Sequence, residues 1–129
     1  MDCSARKKIL IIESDQDLRT GVSDLLEMEG YGVVSASCYQ EALQFLGFPD
    51  PPEVILFDCV PPCRSGEEFL QELKKLDQQL SEIPVLMMFS DVTIKRKYAK
   101  SCIADFIKKP LDIESFLAAI EKFTQQPSK

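Results

Sequence analysis

The stretch that decides the fold is Glu53-Val54-Ile55-Leu56-Phe57-Asp58, an apolar run that ends on a carboxylate. Consecutive apolar residues without alternation are typical of a strand that is buried on both faces, as in a parallel sheet. Pro62 and Gly66 follow, so the strand is expected to lead into a loop and then a helix. Open α/β sheets bind ligands at the carboxyl ends of their strands, which makes Asp58 the first candidate for chemistry.

The composition is that of a globular domain with an acidic balance. Of the 129 residues, 45% are hydrophobic and 28% are charged, which is enough apolar material for a core. We therefore predict a single domain over residues 1–129, with a core from about residue 8 to residue 123 and a flexible tail at 124–129. The net charge of −6 argues against a sequence-independent nucleic-acid binder, which needs a basic surface.

The sequence shows neither a membrane span nor an export signal. No apolar stretch approaches the ~20 residues that a bilayer requires, and residues 1–8 lead directly into an apolar run without a cleavage site. We therefore predict a cytoplasmic protein with no membrane partner. The five cysteines are odd in number and scattered, which predicts free thiols. Without any histidine, a four-ligand zinc site has little support.

Short strand-like runs alternate five times with amphipathic helical patterns. Strands are predicted at 9–12, 32–36, 53–58, 84–89 and 104–107. Four of the predicted helices are marked by apolar residues at helical spacing: Leu18, Val22, Leu25 and Leu26; Ala42, Leu43 and Leu46; Phe69, Leu70, Leu73 and Leu76; and Ile113, Phe116, Leu117 and Ile120. The fourth helix in chain order is predicted in the short basic segment from Thr93 to Cys102. Gly30 is predicted to end the first helix, and capping boxes are predicted at Ser37/Gln40 and Ser65/Glu68. Strict alternation predicts a parallel sheet with helices on both faces.

On this pattern, polar side chains gather at the carboxyl edge of the sheet. The residues that follow the strands there are Glu13, Ser14, Asp15, Asp58, Phe89, Ser90 and Lys109. Clustered carboxylates repel one another and favour a hard divalent cation, typically Mg²⁺. A nearby lysine neutralises a carboxylate and then an attached phosphoryl group. Asp58 is therefore a candidate nucleophile for forming an acyl phosphate, with Lys109 stabilising the transfer.

Four segments resemble the receiver domain of two-component response regulators. They are Ile9-Leu10-Ile11-Ile12-Glu13, Asp58-x-x-x-Pro62-x-x-x-Gly66, Ile83-Pro84-Val85-Leu86-Met87 and Ala104-Asp105-Phe106-Ile107-Lys108-Lys109-Pro110. The resemblance implies an α/β, flavodoxin-like (βα)5 fold with a five-stranded parallel sheet in the order 2-1-3-4-5. It implies that Asp58 is the phosphoacceptor and that Lys109 contacts the phosphate. It also implies that Glu13, Asp58 and the backbone of Val60 bind Mg²⁺.

The metal site departs from the family pattern at one position. Receivers carry two adjacent acidic residues after the first strand, and the second binds the metal directly. This chain has Ser14 there, and a neutral hydroxyl is a far poorer Mg²⁺ ligand than a carboxylate. Asp15 is expected either to compensate for this loss or to cap the first helix. We therefore predict weak Mg²⁺ affinity.

The switch position departs as well. The family has a Thr or Ser after the fourth strand, where its hydroxyl bonds to the phosphoryl group, and this chain has Phe89, which offers no polar atom. Ser90 comes next, and alternation along a strand points it away from the direction of Phe89. Phe106 stands where the family has an aromatic residue that changes rotamer with phosphorylation. We predict little conformational response, and a remodelled output surface because the segment between Phe89 and Phe106 is about two residues shorter than usual.

The resemblance implies a histidine kinase or a phosphotransfer protein as the upstream partner. A downstream protein would bind the face made by the fourth predicted helix, the fifth strand and the fifth helix (the helix 4–strand 5–helix 5 face). Lys95, Arg96, Lys97 and Lys100 on this face are interpreted either as a docking patch or as a solvated helix face. We expect no direct nucleic-acid contact, and a monomer or a weak homodimer.

The sequence is compatible with three functions. The favoured function is a receiver that is not an enzyme, accepts phosphate on Asp58 and signals through protein contacts, with weakened Mg²⁺ binding and switching. The first alternative is a pseudo-receiver that keeps the fold, has lost the switch and binds partners independently of phosphorylation. For Asp58 itself, the alternative to an acceptor is a loop carboxylate that caps a turn. The second is a phosphatase-type enzyme with an aspartate nucleophile, which needs another acid two residues on, where this chain has Val60.

Overall fold

A five-stranded parallel sheet forms the centre of the structure, a computed structural model that describes residues 7–59 and 65–124. The strands are β1 Lys8–Ile12, β2 Gly32–Ala36, β3 Val54–Asp58, β4 Val85–Phe89 and β5 Asp105–Lys108. They lie in the order β2-β1-β3-β4-β5, and each neighbouring pair is parallel. The order changes direction between β1 and β3, which is where open α/β sheets form their ligand crevice. The predicted flavodoxin-like α/β fold is confirmed.

Helices cover both faces of the sheet. Within the described ranges they are α1 Gln16–Met28, α2 Tyr39–Leu46, α3 Ser65–Lys74, α4 Gln78–Ser81, α5 Val92–Lys97 and α6 Ile113–Thr124. The core is split into two clusters, because successive residues of a strand point to opposite faces. Ile9 and Ile11 pack with α1 and α6, whereas Leu10 and Ile12 pack with α2, α3 and α5. Each fully buried aliphatic side chain stabilises the fold by about 1.5–3 kcal/mol.

Helix α1 begins and ends as its sequence predicts. The Asp15 carboxylate accepts a hydrogen bond from the backbone N–H of Leu18 at 3.1 Å, which caps the helix. After the C-cap residue Glu29, Gly30 adopts a φ of 95°, a left-handed conformation that glycine tolerates without strain. Of the two roles expected for Asp15, the structure therefore shows capping.

The capping box predicted at Ser37/Gln40 is not formed as expected. Helix α2 begins after Cys38, which makes no side-chain cap, and the Ser37 backbone N–H donates to the carboxylate of Glu41 at 2.8 Å, not to Gln40. A carboxylate accepts more strongly than an amide oxygen, which explains the preference for Glu41. At α3, Glu68 accepts a hydrogen bond from the Tyr39 hydroxyl at 2.8 Å. The Ser65 side chain, on which the second predicted capping box depends, lies outside the described residues.

The carboxyl-terminal half differs from the predictions in its element lengths. Helix α5 ends at Lys97 instead of continuing to residue 102, with its three basic residues in the last turn, where they face the negative end of the helix dipole. The short α4 was not predicted. Ile113 is 56% exposed instead of buried. Thr124, predicted to begin the tail, is the buried last residue of α6, and its hydroxyl donates to the Ile120 carbonyl at 2.9 Å.

The cysteines follow the prediction only in part. Cys38 and Cys102 are free and exposed, as expected. Cys59 is fully buried and disulfide-bonded, so the free-thiol prediction is wrong there. The sequence gives the number and spacing of the cysteines, but it does not show which sulfur atoms the fold brings together. Cys3 and Cys63 lie outside the described residues.

The helices of the described part of the chain are too short or too polar to cross a bilayer.

Candidate functional site

Asp58 and Lys109 form a close ion pair at the carboxyl edge of the sheet. The Lys109 ammonium donates a hydrogen bond to Asp58 Oδ2 at 2.8 Å and lies 2.7 Å from Oδ1. The Asp58 side chain is only 1% exposed, whereas that of Lys109 is 18% exposed. Asp58 is placed by the end of β3, and Lys109 by the end of β5, where its backbone N–H donates to the Phe89 carbonyl at 2.7 Å and its bond to Pro110 is cis. The structure therefore brings the predicted nucleophile and the predicted lysine together.

Glu13 is the second carboxylate of this edge and is 3% exposed. Its Oε2 accepts a hydrogen bond from the backbone N–H of Asp15 at 3.0 Å, which orients the side chain. Its Oε1 is buried without a hydrogen-bond donor, and Asp58 Oδ1, although 2.7 Å from the Lys109 ammonium, also accepts no hydrogen bond. Two ionised carboxylates cannot satisfy each other, because both only accept hydrogen bonds. Glu13 Oε1 is therefore buried with neither a donor nor a cation, whereas Asp58 Oδ1 has only the Lys109 ammonium beside it.

The pKa of Glu13 is raised by its burial close to Asp58. The pKa of Glu13 is raised from 4.5 to about 7 in the metal-free protein, chiefly by burial and next by the hydrogen bond with Asp58, while the Asp15 N–H and Lys109 oppose the shift. Near neutral pH a proton on Glu13 therefore satisfies Asp58. At higher pH both carboxylates are charged beside a single ammonium.

This raised pKa predicts how the stability of the metal-free protein depends on pH. Because the folded pKa exceeds the unfolded one, the stabilising contribution is complete below about pH 4.5 and is lost as the pH rises through about 7. We expect the free energy of unfolding to fall by about 2 kcal/mol between about pH 5.5 and about pH 8.5, measured by urea titration with a chelator present. Glu13→Gln should flatten this profile, and Glu29→Gln, at an exposed site, should not. Equal slopes in all three proteins would contradict the shift.

The remaining predicted metal ligands are weak or outside the described residues. Ser14 is exposed and lines a cavity of about 340 Å³ together with Asp58. The carboxylate of Asp15 is engaged at the start of α1. Val60 lies outside the described ranges, and within these ranges no three acidic, histidine or cysteine side chains cluster as metal ligands. The carboxylate oxygen atoms of Glu13 and Asp58, of which Glu13 Oε1 has no hydrogen-bond partner, do fit a hard cation, with one carboxylate fewer than the family pattern.

Phe89 and Phe106, the two predicted switch residues, are in contact. Phe89 is 4% exposed, and its ring meets that of Phe106 edge to face, with centroids 6.2 Å apart and an interplanar angle of 84°. The Lys95 ammonium lies 5.9 Å from the Phe89 ring centroid, within the range of a cation–π interaction. Ser90 is exposed. An apolar ring, packed against Phe106, thus occupies the position where the family pattern has a hydroxyl group.

Sequence reasoning missed two residues beside the site. The Tyr39–Glu68 hydrogen bond joins the start of α2 to α3, and both residues line the same cavity as Asp58. The bond to Glu68 raises the pKa of Tyr39. The two positions are 29 residues apart, so no periodicity or motif connects them.

Comparisons with known proteins identify relatives of the whole chain. A sequence model of the response regulator receiver domain matches residues 9–121. The DNA-binding dual master transcriptional regulator RpaA of Synechocystis sp. is 32% identical over 124 residues, which are 95% of this chain and 51% of RpaA. The phosphate regulon transcriptional regulatory protein PhoB of Escherichia coli is 29% identical over 117 residues, which are 89% of this chain and 50% of PhoB. This chain therefore spans about half the length of each regulator.

Solved structures show the same fold. The chemotaxis response regulator CheY4 of Vibrio cholerae superposes with a TM-score of 0.78 at 24% identity, covering 92% of this chain and 99% of that one. A response regulator receiver domain protein from Clostridium thermocellum gives the same TM-score and identity, covering 92% of this chain and 94% of its own. At these identities the likeness concerns the fold alone.

Proposed function

This chain belongs to the response regulator receiver domain family of two-component signalling, and we propose that it accepts a phosphoryl group on Asp58 from a histidine kinase or a phosphotransfer protein. The observation that carries the proposal is the buried ion pair between Asp58 and Lys109, at 2.7 and 2.8 Å. This pair holds a carboxylate oxygen in place and keeps a cation beside the position of the incoming phosphate.

The geometry supports a direct phosphoryl transfer. An oxygen of Asp58 attacks phosphorus, the new P–O bond forms as the P–N bond of the donor breaks, and the bonding electrons return to the imidazole ring. Lys109 then pairs with the phosphoryl oxygens instead of the free carboxylate. We propose that Glu13, Asp58 and the backbone carbonyl of Val60 would hold Mg²⁺, which would supply positive charge to offset that of the phosphoryl oxygens. Ser14 supplies no charge, so we propose weak affinity for the ion.

We propose that the switch is weakened as well. A phosphorylated Asp58 would find the ring of Phe89 where a hydroxyl could donate, and this ring already packs against Phe106 and lies under Lys95. None of these contacts is expected to change from favourable to unfavourable when negative charge is added at Asp58. This observation favours the pseudo-receiver as a second candidate function, in which partners bind the same surface with or without phosphate.

Treatment with a small phosphodonor and Mg²⁺ tests both candidates. The wild-type protein should gain the mass of one phosphoryl group, and Asp58→Asn should gain none. The matched control is Asp91→Asn, because Asp91 caps α5 at the same edge and asparagine retains the cap. If the wild-type protein gains no mass, or gains it equally in Asp58→Asn, then Asp58 is not the acceptor and the pseudo-receiver is favoured.

The phosphorylated sample also reports on switching. Backbone amide NMR shifts should move near Asp58 and Lys109 and stay unchanged at Phe106 and along α5. Shifts at Phe106 comparable to those at the acceptor would show that phosphorylation is coupled to the surface despite Phe89.

The remaining assignments are proposals on the same basis. We propose partner binding through the face of α5, β5 and α6, including Phe106 and the basic residues of α5. We also propose that the protein is a cytoplasmic signalling module and that it is a monomer or a weak homodimer. Light scattering over a range of concentrations would test the oligomeric state. A phosphatase-type enzyme has less support, because Val60 stands where a second acid is needed. Turnover of simple phosphate esters would support such an enzyme instead.

A further inference from the structure

An apolar cavity of about 190 Å³ opens at the end of the sheet opposite Asp58. Leu10 and Val34, which are paired across β1 and β2, form its floor, and Phe45 and Phe48 form its side. Leu10 is 1% exposed, whereas Phe48 is 59% exposed and meets Phe45 edge to face at 5.8 Å. Neither the phosphoryl-transfer site nor the proposed partner face uses these residues.

The volume of the cavity selects the size of its occupant. Apolar cavities of about 150 Å³ in proteins stay dry and bind benzene, so about 190 Å³ accommodates one aromatic ring with a short substituent. The walls are almost entirely apolar, which means that a ring loses no hydrogen bonds on entering. The exposed ring of Phe48 adds an aromatic surface at the entrance.

The charge at the rim selects the substituent. Lys8 projects an ammonium beside the cavity, where it donates to the carbonyl of Asp50 at 2.9 Å and lies 2.9 Å from Asp50 Oδ2. The Asp50 side chain is 83% exposed, and such a solvent-exposed ion pair contributes little to stability. A ligand carboxylate can therefore replace that of Asp50 on Lys8 at small cost, while its ring enters the cavity. An ammonium substituent would meet Lys8 with a like charge, and its counter-charge at the rim, Asp50, is 83% exposed, where an ion pair contributes little.

We propose that this cavity binds small aromatic monocarboxylates, with the ring on Leu10 and Val34 and the carboxylate on Lys8. The site lies at the amino end of the sheet, so its occupancy is independent of phosphorylation at Asp58. The proposal stands or fails separately from the proposed receiver function.

Benzoate is the probe for this proposal. Titration of the isotopically labelled protein should give saturable shifts of the Leu10 and Val34 methyl signals, with benzyl alcohol binding more weakly and benzylammonium weakest. Asp50→Asn removes the competing carboxylate and should tighten benzoate binding by about two- to fivefold. Lys8→Met should weaken benzoate binding about tenfold or more and leave benzyl alcohol unaffected. Asp91→Asn, at an exposed aspartate at the opposite end of the sheet, is the matched control and should leave all affinities unchanged.

Because Asp50 is exposed, its substitution is not expected to unfold the protein. Circular dichroism checks that Lys8→Met is folded. The proposal is overturned if benzoate causes no saturable shift at Leu10 and Val34, or if its shifts centre on Lys109. It is also overturned if benzylammonium binds as tightly as benzoate, or if Asp50→Asn gives no gain.

Discussion

Lys109→Met should lower the free energy of unfolding of the metal-free protein by about 3 kcal/mol at about pH 8. The ammonium of Lys109 neutralises Asp58, whose side chain is 1% exposed, and its removal leaves a buried carboxylate without a cation. Methionine retains most of the apolar stem, so the loss reports the charge and not the packing. The loss should be smaller near pH 6, because Glu13, with a pKa of about 7, is then protonated and one negative charge has gone.

Urea unfolding at both pH values, with a chelator present, measures this difference. The matched control is Lys108→Met, which changes the neighbouring, exposed lysine and should shift the free energy of unfolding by no more than about 0.5 kcal/mol. If the two variants unfold alike, the ion pair with Asp58 is not a stabilising element of the site. An equal loss of unfolding free energy at both pH values would show that the effect of Lys109 does not depend on the protonation of Glu13.

Ser14→Asp should tighten Mg²⁺ binding about tenfold or more, because it adds a third carboxylate beside Glu13 and Asp58. Ser14 lines the same cavity as Asp58 and is exposed, so the new carboxylate can reach the site without displacing a core residue. The same substitution should destabilise the metal-free protein, since it adds a negative charge next to Glu13. Excess Mg²⁺ should reverse this loss, because a ligand that binds only the folded state stabilises it.

Calorimetric titration with Mg²⁺ measures the affinities of the two proteins. Ser14→Asn is the matched control, because asparagine is close to aspartate in size but carries no charge, and it should bind the ion nearly as weakly as the wild type. If wild-type protein already binds Mg²⁺ as tightly as Ser14→Asp, another group compensates for Ser14. The proposal of a weakened metal site would then be wrong.

The alternation of strands and helices was predictable because it depends on neighbouring residues. Continuous apolar runs bury a strand on both faces, and the clusters around Ile9 and Leu10 follow from this alternation. The carboxyl ends of β1, β3 and β5 meet at one edge, so the proximity of Asp58 and Lys109 was predictable from topology. The ends of α5 and α6 were not, because caps and packing decide where a helix stops.

The sequence by itself determined the order of the elements, the edge of the sheet that carries the chemistry, and the residue types at that edge. Only the tertiary structure decided the raised pKa of Glu13, the contact of Phe89 with Phe106, the disulfide at Cys59 and the cavity beside Lys8. The physical reason is distance along the chain. Asp58 and Lys109 are 51 residues apart, and the desolvation that gives such groups their properties arises only when packing excludes water around them.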